Sequence, residues 1–275
     1  VRRASAPASA VLPACFALTL FLSATLLFLV QPMFAKMVLP LLGGAPAVWN
    51  TCMVFYQAAL LVGYAYSHFS TAWLGVRRQA LLHIGVLLLP LLALPIAVVP
   101  GWAAPEEANP VPWLLGLLAV SVGLPFVVVS TSAPLLQKWF ASTGHPSARD
   151  PYFLYAASNL GSMLALFSYP VLLEPHLRLA EQSAWWALGY GVLAALTLGC
   201  AFLMWRSSAR HGQGARREEA VGAGPADADR PSLGRRLHWV ALALVPSSLM
   251  LGVTTHLTTD VAAIPLLWVL PLALY

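Results

Sequence analysis

Long apolar runs separated by short polar breaks dominate the chain. Seven can be traced, at roughly residues 11–31, 48–66, 80–99, 113–136, 152–173, 184–205 and 238–257. Each holds about 20 residues, which at 1.5 Å per residue crosses about 30 Å of hydrocarbon. An eighth run begins near residue 261 and reaches Tyr275 without a polar flank. It offers only about 22 Å on the same rise, so a chain cut off partway through its eighth span is expected. Arg2 and Arg3 precede the first run, as in a signal peptide. That run is longer than a usual h-region and no A-x-A site follows it, so an uncleaved first helix is expected. The predicted fold is an all-α, polytopic transmembrane helix bundle with about seven complete spans and a truncated eighth.

Composition excludes a soluble domain. Apolar residues make up 59% and charged residues 9%, against about 25% charged in soluble domains. The mean hydropathy is +0.76. The net charge of +5 is placed by orientation rather than by a nucleic-acid partner. With the N-terminus in the cytoplasm and alternating spans, thirteen of the 15 Lys and Arg fall on the cytoplasmic side. These are Arg2, Arg3, Arg77, Arg78, Lys138, Arg149 and the seven arginines between 206 and 236. Lys36 and Arg178 are the exceptions, while Glu106, Glu107, Glu174, Glu181 and Asp260 fall outside. This asymmetry follows the positive-inside rule and predicts a bacterial inner-membrane, multi-pass protein with a cytoplasmic N-terminus. No aromatic-basic stripe suited to single-stranded nucleic acid is present. The lipid bilayer is the expected partner; the oligomeric state is left open.

The predicted organisation is a cytoplasmic tail at 1–10, a six-helix membrane bundle at 11–205, a basic flexible cytoplasmic linker at 206–237 and the start of a second helix group at 238–275. The linker is rich in Gly, Ala, Arg and acidic residues and has no apolar period. Prolines recur inside the spans: Pro90, Pro95, Pro125, Pro134, Pro170, Pro246, Pro265 and Pro271. They predict local kinks or, alternatively, broken helices that line a cavity.

Chemistry is carried by polar residues where lipid is expected. Ser158, Asn159, Gly161 and Ser162 cluster in the fifth run. The pairs Ala157/Gly161 and Ser158/Ser162 have the small-xxx-small spacing of close helix contacts; substrate contact through Asn159 is the other reading. Ser130, Thr131 and Ser132 precede Pro134, so their hydroxyls can serve carbonyls that proline leaves free. Gln57, Tyr64 and Tyr66 lie in the second run, the tyrosines as interfacial belt residues. On the outer side, His256 and Asp260 are spaced i, i+4 and share a helix face. Gln31, Lys36, Asn50 and Thr51 are expected at the same depth. These groups form either a solute pocket or an interfacial hydrogen-bond network. The candidate binding set is therefore His256, Asp260, Gln31, Lys36, Asn50 and Asn159, for a small polar or cationic solute. Cys15, Cys52 and Cys200 each sit in an apolar run and read as small packing residues. There is no Walker loop, HExxH or GxSxG, the Gly43-Gly44 pair reads as a turn, and no catalytic residue, metal site or cofactor is assigned.

Four stretches carry a family resemblance: LFLVQPMFAKMVLPLLGGAPAVWNTCMVFYQAALLVGYAYSH (27–68), STSAPLLQKWF (130–140), DPYFLYAASNLGSMLALFSYPVLLEP (150–175) and SSLMLGVTTHLTTDVAAIPLLWVLPLALY (247–275). Together they resemble the membrane part of bacterial fused proteins that join a major-facilitator-like helical domain to a spermidine-synthase-like domain. The resemblance implies an inner-membrane location and a following cytoplasmic Rossmann-like domain. That domain would resemble aminopropyltransferases, which move an aminopropyl group from decarboxylated S-adenosylmethionine to putrescine. Their glycine-rich loop and catalytic acids have no counterpart in these 275 residues. Six helices, a long basic loop and a restart match the six-plus-six plan of major facilitators. The turn with Gly75, Arg77 and Arg78 is similar to their basic loop motif, without its acidic residue. Three functions are thus open: a membrane anchor that presents substrate to the synthase-like domain, a transporter of a small polar or cationic solute, and a structural scaffold.

Overall fold

A computed structural model of the chain describes residues 6–43, 46–99, 101, 109–218 and 232–256. Among these it is all-helical. Five stretches are long and apolar enough to cross a membrane: Ala10–Leu42, Ala47–Leu92, Pro110–Ala141, Tyr152–His176 and Leu179–Ser207. They coincide with the first six apolar runs because the second and third share one element. That element, α2 (Pro46–Leu88), would be about 65 Å long if straight, twice the hydrocarbon thickness. It breaks at Gly75, which has φ 69° and ψ 163°. Only glycine adopts this backbone without strain, and the exposed Arg77 and Arg78 follow it directly.

Helix α1 spans Ala6–Leu42 and runs through Pro13, Pro32 and Pro40. Gln31 and Lys36, expected beyond the end of the first span, lie inside this helix, because the apolar run resumes after Pro32. The crossing at 110–141 is discontinuous. It comprises α3 (Pro110–Leu118), a wide π-turn at Ala119–Gly123, α4 (Leu124–Ser130) and α5 (Ser132–Ala141). The π-turn precedes Pro125, and the break at Thr131 precedes Pro134; both are usual companions of proline in a helix. The Ser130 and Thr131 hydroxyls donate to the carbonyls of Val127 (2.7 Å) and Val128 (2.6 Å), three residues back. The next crossing has the same design: α6 (Tyr152–Ser168), a π-turn at Tyr169–Leu173 containing Pro170, and the short α7 (Glu174–His176).

Helix α8 spans Leu179–Glu218. It therefore carries thirteen residues of the segment expected as flexible linker, 206–218. That part holds four Arg, two Ala, one Gln and one Glu, good helix formers, beside two Gly, and contains no proline. Helix α9 (Leu233–His256) packs mainly on α2, with Met250 its buried side chain. Residues 257–275, with the expected eighth span, lie outside the described part.

Packing is centred on α1, whose most extensive neighbours are α6 and α8. The surface is apolar: Leu61, Phe69, Phe167, Val171, Trp185 and Phe202 are about half exposed or more. Hydroxyls and amides are buried instead, among them Thr19, Ser23, Ser67, Gln79 and Thr197. Many of the hydroxyls bond a carbonyl one turn back, as Thr19 to Cys15 (2.7 Å) and Ser67 to Gly63 (2.8 Å). A greasy exterior around buried hydroxyls and amides suits lipid, not water, and the protein is membrane-embedded.

The α1–α8 contact brings together two residues 185 apart in sequence. Cys15 and Cys200 have their sulfurs 3.6 Å apart, although nothing in their spacing suggested a pair. Mild oxidation with diamide is expected to cross-link them and to leave Cys52 free, as read by mass spectrometry of the unreduced peptides. A Cys15–Cys52 or Cys52–Cys200 product in place of this one would disprove the helix arrangement.

Candidate functional site

The pocket of interest is an open cavity of about 540 Å³ between the helices, lined by α1, α2, the α4–α5 junction, α6 and, among the described residues of α9, Met250. Its formation follows from where these helices touch. At Gly161 on α6 a Cβ would come within 2.4 Å of the Phe21 carbonyl oxygen, so α6 lies directly on α1 there. Thr25 bridges the same crossing, donating to the carbonyl of Phe21 (2.8 Å) and reaching that of Gly161 (3.4 Å). At Gly63 on α2 a Cβ would be 3.0 Å from the Val127 carbonyl oxygen. Close approach at these two glycines seats the helices, and residues to one side of each contact are left facing open space.

The wall that α6 supplies consists of Ser158, Asn159, Ser162, Met163 and Leu166. The fifth run divides between two faces: Gly161 packs on α1, as the small-xxx-small spacing suggests, while Ser158, Asn159 and Ser162 line the cavity. Helix α1 contributes Ser23 and Gln31, and α2 contributes Tyr56, Gln57 and Tyr64. Tyr64 is therefore a wall residue in addition to lying on an exposed face. The break at Thr131 turns Ser130 towards the cavity, and Met250 of α9 closes part of it.

Several of these groups have already used a donor on the backbone. Ser23 donates to the Val129 carbonyl (3.3 Å), Ser162 to that of Asn159 (2.9 Å) and Gln31 Nε2 to that of Leu27 (3.2 Å). The hydroxyl oxygens and the Gln31 amide oxygen keep acceptor capacity. Tyr56 differs: it is 4% exposed, and its hydroxyl has no partner within the protein. A buried hydroxyl without a partner costs about 1–3 kcal/mol, and this oxygen is covered by the protein rather than open to the cavity. Among the described lining residues none is Asp, Glu, Lys, Arg or His. The described lining residues can therefore hold a molecule by hydrogen bonds and by apolar and aromatic contact, with no ion pair among them.

The sequence-derived set divides accordingly. Gln31 and Asn159 meet in the cavity. Lys36 does not join them; it forms an ion pair with Glu174 of α7, 138 residues away, with both side chains partly buried. The pair ties the end of α1 to the segment after the second π-turn. Asn50 is half-buried near the start of α2 and His256 is exposed at the end of α9; both interact elsewhere and neither lines the cavity. Asp260 lies outside the described residues, so its i, i+4 relation to His256 does too. Ser23 and Tyr56 were not anticipated. The one signal available for Tyr56 was its place beside Gln57 in the middle of an apolar run. Among the described residues no group of three or more His, Cys, Asp or Glu could hold a metal ion. Comparison with protein-family models, with curated proteins and with solved structures finds no match for the chain.

Proposed function

We propose that the chain is a solute-binding membrane domain of the type its sequence resembles, a major-facilitator-like helical part of a spermidine-synthase-like fused protein. On this reading it sits in the bacterial inner membrane with its N-terminus in the cytoplasm. Six crossings precede the basic segment, and α9 is the seventh. The domain anchors the protein and offers a small molecule to an aminopropyltransferase-like domain that the resemblance places after it.

The observation that supports this best is an open cavity between the helices, where Gln31, Gln57, Ser158, Asn159 and Ser162 stand among apolar residues while the outward faces of the bundle are apolar. Polar groups in a membrane bundle are expensive and mark solute sites by default. The chemistry of the wall narrows the solute. A polyamine cation would find amide and hydroxyl oxygens and aromatic faces but no carboxylate among the described lining residues, and cation–π contact alone contributes about 1–2 kcal/mol. An uncharged polar molecule, with donors and acceptors for Gln31, Gln57 and Asn159, fits better. A second reading, transport, is favoured by one feature: the crossing that carries Ser130 is irregular, with a π-turn at Ala119–Gly123 and a tightened turn at Thr131 beside the cavity, and irregular helices line the sites of many transporters.

The full chain in nanodiscs, melted with putrescine and with its uncharged counterpart 1,4-butanediol, tests the site. The diol is expected to raise the melting temperature of wild type and not of Ser162→Trp, whose indole fills the cavity. Equal stabilisation of Ser162→Trp would place binding elsewhere. Stabilisation by putrescine alone would reverse the preference for an uncharged solute.

A further inference from the structure

Next to the cavity wall, on the far side of the break, a second polar group is sealed inside the bundle. Tyr66 comes from the first half of α2, Gln79 and His83 from the second half, and Trp139 from α5. The ring of His83 lies 5.9 Å from that of Tyr66 and 5.9 Å from that of Trp139, edge-on to the indole at 75°. The Trp139 indole N–H donates to Gln79 Oε1 at 2.8 Å. Thr131 Oγ1 is 3.4 Å from His83 Nε2. Gln79 and Trp139 are 0% exposed and His83 is 1% exposed.

Three polar atoms in this group have no hydrogen-bond partner in the protein: the Tyr66 hydroxyl, Gln79 Nε2 and His83 Nδ1. Tyr66 and Gln79 are neighbours, yet they close no bond of good geometry. A buried polar atom left unpaired is costly, and the surrounding lipid cannot relieve it. Their needs are complementary. The amide nitrogen requires an acceptor, the phenol accepts or donates, and the imidazole nitrogen accepts or donates according to tautomer. One ligand class meets all three within a fully buried site: water, with two donors and two acceptors. The position agrees. Pro134 cannot donate to the Ser130 carbonyl, and membrane helices broken at proline commonly recruit ordered water.

We propose that Tyr66, Gln79 and His83, closed over by Trp139 and Thr131, form an internal water-binding site that bridges the two halves of α2 and the broken crossing beside them. The site is separate from the cavity and independent of what the cavity binds. Its water completes the hydrogen bonding of His83 as a neutral imidazole and takes the place of a rigid side-chain contact at the Thr131 break.

X-ray footprinting of the full chain in nanodiscs tests this, because hydroxyl radicals formed from bound water oxidise adjacent side chains however deeply these are buried. Trp186 is the dry control: it is 4% exposed, and its indole N–H is satisfied by the Leu26 carbonyl at 2.9 Å. Trp139 is expected to be oxidised at least about tenfold faster than Trp186, since only Trp139 borders bound water. Oxidation of the two indoles at equal rates would overturn the proposal in wild type alone. In Gln79→Leu/His83→Phe the rate at Trp139 is expected to fall to that of Trp186. A folded double variant that keeps the fast rate would overturn it as well.

Discussion

Gly161→Ala will destabilise the protein by about 2 kcal/mol, against the direction that helix propensity alone dictates. In a helix interior alanine is better than glycine by about 1 kcal/mol, so an unhindered site would be stabilised. Here the added methyl would come within 2.4 Å of the Phe21 carbonyl oxygen and 3.1 Å of Thr25 Oγ1. The first of these is backbone and cannot rotate away, so α6 must lift off α1 along the most extensive contact in the bundle. Overpacking of this kind costs about 1–3 kcal/mol, and Gly161→Leu should exceed that range and abolish the folded fraction. SDS-induced unfolding in mixed micelles gives the sign directly. An alanine variant as stable as wild type would mean that the helices do not touch at this residue.

The second large effect belongs to Trp186, which holds α8 to α1. Its indole N–H bonds the Leu26 carbonyl, and its ring stacks on Tyr190 at 5.7 Å with an interplanar angle of 21°. In lipid the water-transfer part of a truncation cost falls away, because tails solvate apolar groups as well as a core does. The cavity left behind and the lost contacts remain, so Trp186→Ala should cost about 3 kcal/mol. Trp186→Phe keeps most of the contact and loses the hydrogen bond, about 1 kcal/mol. Unfolding in the same micelles separates the two. If both variants lost the same amount, the hydrogen bond rather than the packed ring would be holding the helices.

What could be read from the chain alone was the class of protein, since hydropathy depends on composition within about 20 residues and needs no tertiary knowledge. The first six apolar runs reappear as helix, except the end of the third, where residues 93–99 are not helical. What local reading could not resolve was how far each helix continues. The first apolar run was drawn to end at Gln31, with Lys36 beyond it, whereas α1 continues to Leu42 through Pro32 and Pro40, as membrane helices can. Residues 206–218 looked like linker because they lack an apolar period, but helix propensity there needs none. The site was legible only in part. Ser158, Asn159, Gly161 and Ser162 stood out as polar or small residues in lipid, and each has a role at the α1–α6 crossing or in the cavity. Lys36 and Glu174 are 138 residues apart, and Cys15 and Cys200 are 185 apart. Pairings at that separation are decided by packing, which no single-chain pattern encodes. Tyr56 was hidden for a different reason: an aromatic residue in an apolar run looks the same whether it packs against a neighbour or lines an open space.

The π-turn at Tyr169–Leu173 has an effect on phase. A wide turn places one more residue in the helix than an α-helical path of equal height would, and one residue corresponds to about 100° of azimuth. Everything after it is rotated by that angle relative to α6. The carboxylate of Glu174, first to follow, is thereby swung round to the ammonium of Lys36. A homologue without the extra residue would align only with a single-position gap near 170, and its acidic side chain would point along a different bearing. Two proteins could then share every span and still differ in whether this end of the first helix is tethered.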